Sequence, residues 1–247
     1  MIGTCIVYVC SPDRYRQLSY SLSTLLRSGT TFDRIVVFCV GADPSWTFDD
    51  ARIEVRPVSP LYADYFYGNK LLLCGLEADR VVFLDTDTLV FSPIDRVWTG
   101  RGADVLARVA SAYDTPEWNR DAWREACSRF GDHVVPMYNG GFVIFQNGAH
   151  RRAGPDWKRA MELYRSRELV APFDERMSDQ YGLSLAMLAG RMSCDEMGRR
   201  HHTFGWLDPD VSRETVVFHT ANPLFDWYIG QFRIPEPRIA ANPEQRG

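Results

Sequence analysis

Asp85 and Asp87 are two aspartates separated by one residue. Their type and spacing make them the strongest candidates in the sequence for a chemical role. They follow the apolar run Val81–Leu84, which is typical of a buried strand. Side chains two positions apart on an extended chain share a face, so both carboxylates would face one point while Thr86 points away. Neighbouring carboxylates repel each other unless a cation or a proton lies between them. The pattern therefore indicates a site for a divalent cation with a diphosphate bound to it.

The same residues also fit a phosphate-ester chemistry. Asp85-Thr86-Asp87-Thr88 matches the D-x-D-x-T signature of haloacid-dehalogenase-type phosphatases, in which Asp85 would be the nucleophile and Asp87 a general acid. That chemistry needs a lysine further along the chain, and Lys158, the one lysine after Asp85, lies within an amphipathic helical pattern. Three predicted strands precede the motif, whereas in such phosphatases it follows the first strand. The phosphatase is therefore the alternative reading.

The elements that must position these residues alternate between strands and helices. Apolar runs predict strands at Cys5–Cys10, Ile35–Val40, Ile53–Val58, Val81–Leu84, Val105–Val109, Phe142–Phe145 and Val216–Phe218. Apolar side chains at helical spacing predict helices from Ser11 to Gly29, after Asn69, over Asn119–Phe130, around Trp157–Tyr164 and over Ser178–Leu188. Strands that are apolar on both faces favour a single α/β domain with a mostly parallel central sheet flanked by helices. Such sheets bind ligands at the carboxyl ends of their strands.

Four blocks of the chain resemble the family-8 glycosyltransferases of the GT-A fold. The blocks are Tyr8–Tyr15, Asn69–Leu72, Val81–Ile94 and Tyr138–Phe145, and Ser178-Asp179-Gln180 follows them. In that family they correspond to the opening strand with its nucleotide loop, a basic residue near the donor, the D-x-D strand and a strand that approaches the sugar. The resemblance implies a metal-dependent, retaining transfer of a sugar from a nucleoside diphosphate donor, with UDP as the expected nucleotide.

The resemblance also implies the site residues. Asp179 and Gln180 would be catalytic, facing the anomeric region of the sugar. The metal, Mn²⁺ or Mg²⁺, would be held by Asp85, Asp87 and His219, although His133, His150, His201 and His202 compete for the third place. Donor-binding residues would be Cys10, Ser11, Tyr15, Lys70, Asp85, Thr86, Asp87, Asn139, Gly140, Gly141, Asp179 and Gln180.

The chain departs from the family pattern after His219. The family continues with a glycine and a lysine that clamps the diphosphate, whereas this chain has Thr220–Phe225 without a lysine. Arg233 is the cation that could replace it, but arginine and lysine are not interchangeable at phosphate sites. The departure leaves open a third hypothesis, a sugar-nucleotide-binding protein that has lost turnover.

Composition limits the classes of function. The 247 residues carry 28 basic and 32 acidic side chains, a net charge of −4, which excludes a polybasic nucleic-acid binder. The absence of a long apolar run predicts no membrane span, and the absence of a basic start predicts no signal peptide. Six cysteines without a C-x-x-C pair favour a reducing cytoplasm.

The acceptor is expected to be soluble, whether a glycan, a peptide or a small natural product. Tyr113, Trp118 and Trp123 in Ser111–Pro136 are candidates for its wall, as are residues 201–206, although a helix face buried in the core is the more common outcome for such aromatics. The sequence predicts that the whole chain, 1–247, forms one domain. Within it we expect a nucleotide- and metal-binding half over about residues 1–100 and a sugar- and acceptor-binding half over about residues 101–235. A tail over residues 236–247 follows.

Overall fold

A computed structural model describes residues 3–41, 46–48, 50–208, 214–237 and 240–241. The strands are β1 (Thr4–Cys10), β2 (Arg34–Val40), β3 (Trp46–Thr47), β4 (Ile53–Val58), β5 (Arg80–Leu84), β6 (Thr88–Val90), β7 (Val105–Val109), β8 (Tyr138–Phe145), β9 (Cys194–Glu196), β10 (His202–Phe204), β11 (Val217–His219) and β12 (Ala240–Ala241). The helices are α1 (Tyr15–Arg27), α2 (Asp95–Trp98), α3 (Arg120–Ser128), α4 (Ala149–Arg165), α5 (Ser178–Ala189) and α6 (Phe225–Gln231).

Within the described residues the strands form a seven-stranded sheet in the order β4-β2-β1-β5-β8-β7-β9, a three-stranded sheet in the order β10-β11-β6, and the pair β12-β3. In the large sheet β4, β2, β1 and β5 run parallel, β8 is antiparallel to both β5 and β7, and β9 is parallel to β7. The predicted α/β class with a mostly parallel central sheet is confirmed.

Both faces of the large sheet are buried, as the uninterrupted apolar runs predict. Along β1, Cys5, Val7 and Val9 face one core layer, while Ile6, Tyr8 and Cys10 face the other. The first layer is covered by α4 and α5, and the second by α1 and α2. No helix in the described ranges combines the length and the apolar character needed to span a bilayer.

Helix α1 holds the loop that follows β1 against the sheet. Leu18, Leu22 and Leu25 form one apolar stripe and are almost fully buried beneath the sheet. Burial of each such side chain stabilises the fold by about 1.5–3 kcal/mol. The helix ends at Arg27, and Gly29 then adopts a φ of 79°, which a residue without a Cβ reaches at little cost. The rigid helix thereby fixes the position of the Ser11–Arg14 loop.

One predicted helix has a different form. The segment expected to become helical after Asn69 is a 3-10 helix over Phe66–Gly75, so it starts before Asn69. The Asn69 side chain is buried, accepts from the Leu61 N–H at 2.7 Å and donates to the Phe66 carbonyl at 2.8 Å. These bonds tie the segment to the preceding loop and hold an unusually long 3-10 run.

The chain passes from the large sheet to the small sheet at the D-x-D residues. Strand β5 belongs to the large sheet and β6, which begins at Thr88, belongs to the small one. Strand β11 pairs antiparallel with β6, so that His219 lies opposite Thr88. The joint between the two sheets therefore brings the end of β11 to the end of β5.

Candidate active site

A cavity of about 610 Å³ opens at the carboxyl ends of β1 and β5. Parallel α/β sheets place their ligands at this edge. The described residues that line it come from β1 and the segment after it, the 3-10 helix, the D-x-D turn, the loop after β7, the start of β8, the start of α5 with the residues before it, and the small sheet with its loops. They are Val9, Ser11, Asp13, Arg14, Gln17, Phe66, Tyr67, Lys70, Asp85, Thr86, Asp87, Ala110, Ser111, Ala112, Asn139, Asp174, Arg176, Met177, Asp179, Gln180, Trp206, His219, Ala221 and Asn222.

The two aspartates converge through a turn, not through an extended strand. The Asp85 N–H donates to the Gly141 carbonyl at 2.8 Å, and the Asp85 carbonyl accepts from the Thr88 N–H at 3.2 Å. The Thr88 hydroxyl donates to the same carbonyl at 2.7 Å. The expectation of an extended chain over Asp85–Asp87 is wrong, because the chain turns at Thr86 and Asp87, and Thr86 lines the same cavity as the two aspartates.

His219 completes a group of metal-ligand type with the two aspartates. Its Nε2 lies 3.2 Å from an Asp87 oxygen and 4.0 Å from an Asp85 oxygen. One ligand atom from each of the three residues falls within 4.8 Å of the others. Two carboxylates and one imidazole form a donor set that suits Mn²⁺, with Mg²⁺ also accommodated. The residues present therefore fit a divalent cation.

Burial and neighbouring charges pull the pKa values of these ligands in different directions. Burial raises the pKa of Asp85, and Lys70 offsets only part of that effect. Burial is also the largest single influence on Asp87 and acts in the same direction, but His219, a backbone hydrogen bond and Lys70 together hold the pKa of Asp87 below its ordinary value. Burial is the largest single influence on His219 and lowers its pKa, but Asp87 and Asp85 together outweigh burial and the pKa is raised. Side chains bind metal ions in their deprotonated form. A cation bound here would therefore displace the proton that His219 carries in its charged form.

The other histidines lie away from the carboxylates. His150 contacts the Leu76 carbonyl at 2.8 Å within the core, and His133 contacts Asp132 on the surface. His202 is buried behind His219, with the two rings nearly parallel and their centroids 5.6 Å apart. Burial holds the pKa of His202 well below its ordinary value. His201 is not in the metal-ligand group. This placement supports His219 among the five candidates.

Gly141 is needed for the fit of His219. A Cβ built at this position would lie 2.2 Å from His219 Cε1 and 3.0 Å from Asp85 Oδ2. The space that a side chain would take is thus filled by two of the metal-ligating side chains. The absence of a Cβ at Gly141 therefore allows its backbone to approach His219 and Asp85 closely.

Lys70 is buried and its ammonium is already saturated with partners. Nζ contacts Asp85 at 3.2 Å, Asp179 at 3.0 Å and the Gly140 carbonyl at 3.1 Å. Burial disfavours the charged form, but Asp179 and Asp85 together raise the pKa of Lys70 above its ordinary value. The lysine expected near the donor therefore links a metal-ligating carboxylate to the start of α5.

Asp179 is held by residues on three sides. One of its oxygens meets Lys70, and the other accepts from the Tyr65 hydroxyl at 3.1 Å. The Tyr65 oxygen in turn accepts from the Asp179 N–H at 3.0 Å, and the Trp157 indole donates to the Asp179 carbonyl at 2.7 Å. Tyr65 was not identified from the sequence, because a single tyrosine in a loop carries no periodic or motif signal.

Gln180 follows Asp179 and is open to the cavity. Its amide oxygen accepts from Asn139 at 3.4 Å, and the Asn139 oxygen accepts from the Gly141 N–H at 2.9 Å. A Cβ at Gly140 would meet Gln180, Asp179 and Lys70 only at 3.4–3.5 Å, which is ordinary contact. Asn139 thus orients Gln180, whereas Gly140 and Gly141, both expected at the donor, are buried and are not among the described residues that line the cavity.

The loop after β1 contributes residues other than those expected. Ser11 lines the cavity, but Cys10 and Tyr15 are absent from its described lining. The Cys10 thiol is buried in the core layer under α1, because alternation along β1 turns it inward, and Tyr15 packs against the same layer. Arg14, which reasoning from the sequence did not select, lines the cavity instead. Arg233, expected as a replacement for the diphosphate-clamping lysine, does not line it.

The aromatic side of the cavity is formed by Trp206. Its indole is 41% exposed, donates to the Ser111 hydroxyl at 2.9 Å and stacks on Phe204 with centroids 4.9 Å apart. Trp118 and Trp123, the other candidates for an acceptor wall, pack in a separate buried cluster around α3, as the alternative for this helix face predicted. A helix in this region buries its aromatic face because the surrounding helices cover it.

The phosphatase alternative is not supported by the position of its lysine. Lys158 is 61% exposed on α4, where it faces Glu162 at 3.8 Å. It is not among the described residues that line the cavity.

Comparisons with known proteins bear on the family and on the fold. The family model that describes the Rhodobacterales glycosyltransferase domain matches residues 6–190 of this chain. The galactosyltransferase LgtC in complex with donor and acceptor sugar analogues is 15% identical with a TM-score of 0.61, covering 89% of this chain and 87% of that one. An active-site mutant of LgtC is 14% identical with a TM-score of 0.60, covering 89% and 88%. A comparison with curated protein sequences finds no significant match.

The structural likeness shows a GT-A fold and confirms the expected resemblance to family-8 enzymes of that fold. The matched residues 6–190 are well over half of the 247 residues. The chain is therefore a glycosyltransferase that belongs to the Rhodobacterales glycosyltransferase family.

Proposed function

We propose that this glycosyltransferase moves a sugar from a nucleoside diphosphate donor, UDP-linked, to a soluble acceptor with retention of anomeric configuration, using Mn²⁺ or Mg²⁺. The observation that carries the proposal is the convergence of Asp85, Asp87 and His219 in one cavity with Asp179 and Gln180. Retention and the choice of UDP come from the family-8 resemblance. The metal ligands and the polar residues at the start of α5 line the same cavity. This supports a donor whose diphosphate lies at the metal ligands and whose sugar lies at the start of α5.

The charge of the cavity supports the need for a cation. Among its described lining residues are the five aspartates Asp13, Asp85, Asp87, Asp174 and Asp179, against the three cations Arg14, Lys70 and Arg176. An anionic diphosphate would be repelled by this excess of negative charge. A divalent cation held by Asp85, Asp87 and His219 would supply Lewis-acid stabilisation of the charge that grows on the departing diphosphate.

Arg14 is the residue that we assign to the diphosphate in place of the family's lysine. Arg176 is tied to both oxygens of Asp174, and Lys70 is saturated by its three partners. Arg14 contacts Asp13 at 3.0 Å and Gln17 at 3.4 Å, and it is partly exposed to the cavity. A guanidinium can exchange such contacts for two hydrogen bonds to a phosphate.

Asp179 and Gln180 would position the sugar. Asp179 is fixed by Lys70 and Tyr65, so its carboxylate is a preorganised acceptor for sugar hydroxyls. Gln180 is neutral and held by Asn139, which supports a role in orienting and stabilising the anomeric region. The acceptor would approach past Trp206, whose exposed indole face offers an apolar platform beside His219.

The experiment is a calorimetric titration of the purified chain with UDP and a set of UDP-sugars, first with Mn²⁺ and then with EDTA. We expect binding that depends on Mn²⁺ and that Asp85→Asn abolishes. Asp132→Asn is the matched control, because it neutralises an exposed aspartate outside the cavity. Failure of every nucleotide to bind in either condition would contradict the proposal.

A second measurement separates an enzyme from a binding protein. Release of UDP from the bound UDP-sugar, by hydrolysis or by transfer to a panel of mono- and disaccharides, should require the same aspartates. Tight binding of every donor without any UDP release would identify a sugar-nucleotide-binding protein without turnover.

A further inference from the structure

Asp85 is shared between the candidate metal site and Lys70. Its carboxylate lies 4.0 Å from His219 Nε2 on one side and 3.2 Å from Lys70 Nζ on the other. An ammonium has three N–H donors, and those of Lys70 are matched by Asp85, Asp179 and the Gly140 carbonyl. The lysine therefore already neutralises part of the charge that would attract a cation.

Burial prevents Lys70 from leaving this position at low cost. Its side chain is 6% exposed, and the ammonium lies 5.2 Å from the centre of the Phe83 ring. A buried ammonium that loses a carboxylate partner without gaining another is strongly destabilised. A cation that arrives at Asp85 consequently meets an obligatory positive charge on the far side of the same carboxylate.

We propose that Lys70 competes with the divalent cation for Asp85 and keeps the affinity of the site for the free ion low until the donor diphosphate arrives. This inference rests on the proposed function. The diphosphate carries charge of the opposite sign, so it is attracted by the ion and by Lys70 together and offsets their mutual repulsion. The lysine thereby makes loading of the ion dependent on the nucleotide.

The test measures Mn²⁺ binding by electron paramagnetic resonance and calorimetry at one pH, with and without UDP. Lys70→Met removes the charge, and Lys70→Gln removes it while keeping a hydrogen-bond donor for Gly140 or Asp179. Lys70→Arg keeps the charge. Lys158→Met is the matched control, since Lys158 is the chain's only other lysine and is exposed.

We expect Lys70→Met and Lys70→Gln to bind Mn²⁺ without nucleotide about tenfold or more tightly than the wild type. Lys70→Arg and Lys158→Met should stay within about threefold of it. UDP should strengthen Mn²⁺ binding far more in the wild type than in Lys70→Met. Circular dichroism establishes that each variant is folded, and Lys70→Gln provides the measurement if Lys70→Met does not fold.

The outcomes separate this inference from the proposed function. Equal or weaker Mn²⁺ binding in both neutral variants overturns the competition, and so does tightening of equal size in Lys70→Arg. If UDP binds to no variant while the neutral variants still bind Mn²⁺ more tightly, the competition stands and the proposed donor fails. If no variant binds Mn²⁺, the competition fails together with the metal site.

Discussion

Gly141→Ala tests the metal-site geometry with the smallest possible change. The added methyl carbon would lie 2.2 Å from His219 Cε1, 2.6 Å from Nδ1 and 3.0 Å from Asp85 Oδ2. Two carbon atoms in contact lie about 3.5–4.0 Å apart, so the imidazole must retreat by about 1.3 Å or more. A metal site tolerates ligand displacements of about 0.2 Å. The substitution should therefore remove His219 as a ligand and disturb Asp85.

The expected effect is loss of Mn²⁺ affinity by about a hundredfold, the upper end of what disturbance of a ligand's supporting contacts costs. Overpacking of the site should also lower the free energy of unfolding by about 1–3 kcal/mol. For a chain of this size that corresponds to a fall in Tm of about 2–4 °C per kcal/mol. Titrations are done well below the Tm of the variant, so that the folded protein is what binds.

Gly140→Ala is the matched control. It adds the same methyl group one residue earlier, where the nearest atoms lie at 3.4–3.5 Å and His219 is not among them. Its Mn²⁺ affinity should stay within about threefold of the wild type, an effect of the size expected for ordinary packing contact. Wild-type Mn²⁺ affinity in folded Gly141→Ala would refute the assignment of His219 and the close approach that we describe.

The remaining predictions concern the ligands and their supports. Asp87→Ala should abolish UDP release while leaving the circular dichroism spectrum unchanged, and full activity of this variant without added metal would refute the site. His219→Ala should weaken Mn²⁺ binding more than tenfold and His201→Ala should not, as calorimetry will show; equal losses would leave His219 unsupported as the ligand. Because Asp87 raises the pKa of His219, protonation opposes the cation, and Mn²⁺ affinity should rise from pH 6 until the pH passes that raised pKa; an affinity independent of pH would contradict this coupling. Tyr65→Phe removes the hydroxyl that contacts both the carboxylate and the N–H of Asp179. We expect kcat to fall about tenfold, which corresponds to one hydrogen bond of about 1.4 kcal/mol, and the Mn²⁺ affinity to stay unchanged. An unchanged kcat would show that Asp179 needs no such support.

The fold was largely predictable because its strands are apolar on both faces. Runs such as Ile35–Val40 and Val105–Val109 leave few alternatives to a buried strand, and the structure places strands there. The small sheet was only partly predictable. Strands β6, β10 and β11 have three residues each, which is too short for a periodic pattern, and their pairing depends on contacts far apart in the sequence.

The candidate site was likewise only partly predictable from the sequence. Asp85 and Asp87 were predictable from local spacing, although the turn that makes them converge was not. His219 came from a family resemblance, since no local signal distinguishes one histidine from another. Trp206 was a candidate from the sequence as part of residues 201–206, but its contact with Ser111 and the contact of Tyr65 with Asp179 join residues more than ninety positions apart and are seen only in the folded chain.

The position of the metal ligands at the joint between the two sheets has a mechanical consequence. Asp85 and Asp87 follow β5 of the large sheet, and His219 ends β11 of the small sheet, so a cation bound by all three would link the two sheets directly. A ligand present at a hundred times its Kd stabilises the state that binds it by about 2.7 kcal/mol. Most of that stabilisation would oppose separation of the small sheet, whose strands are short. Little of it would oppose opening of the large sheet. Loading the site would therefore add a link between the two sheets beside the core contacts that Val90 and Val217 already make.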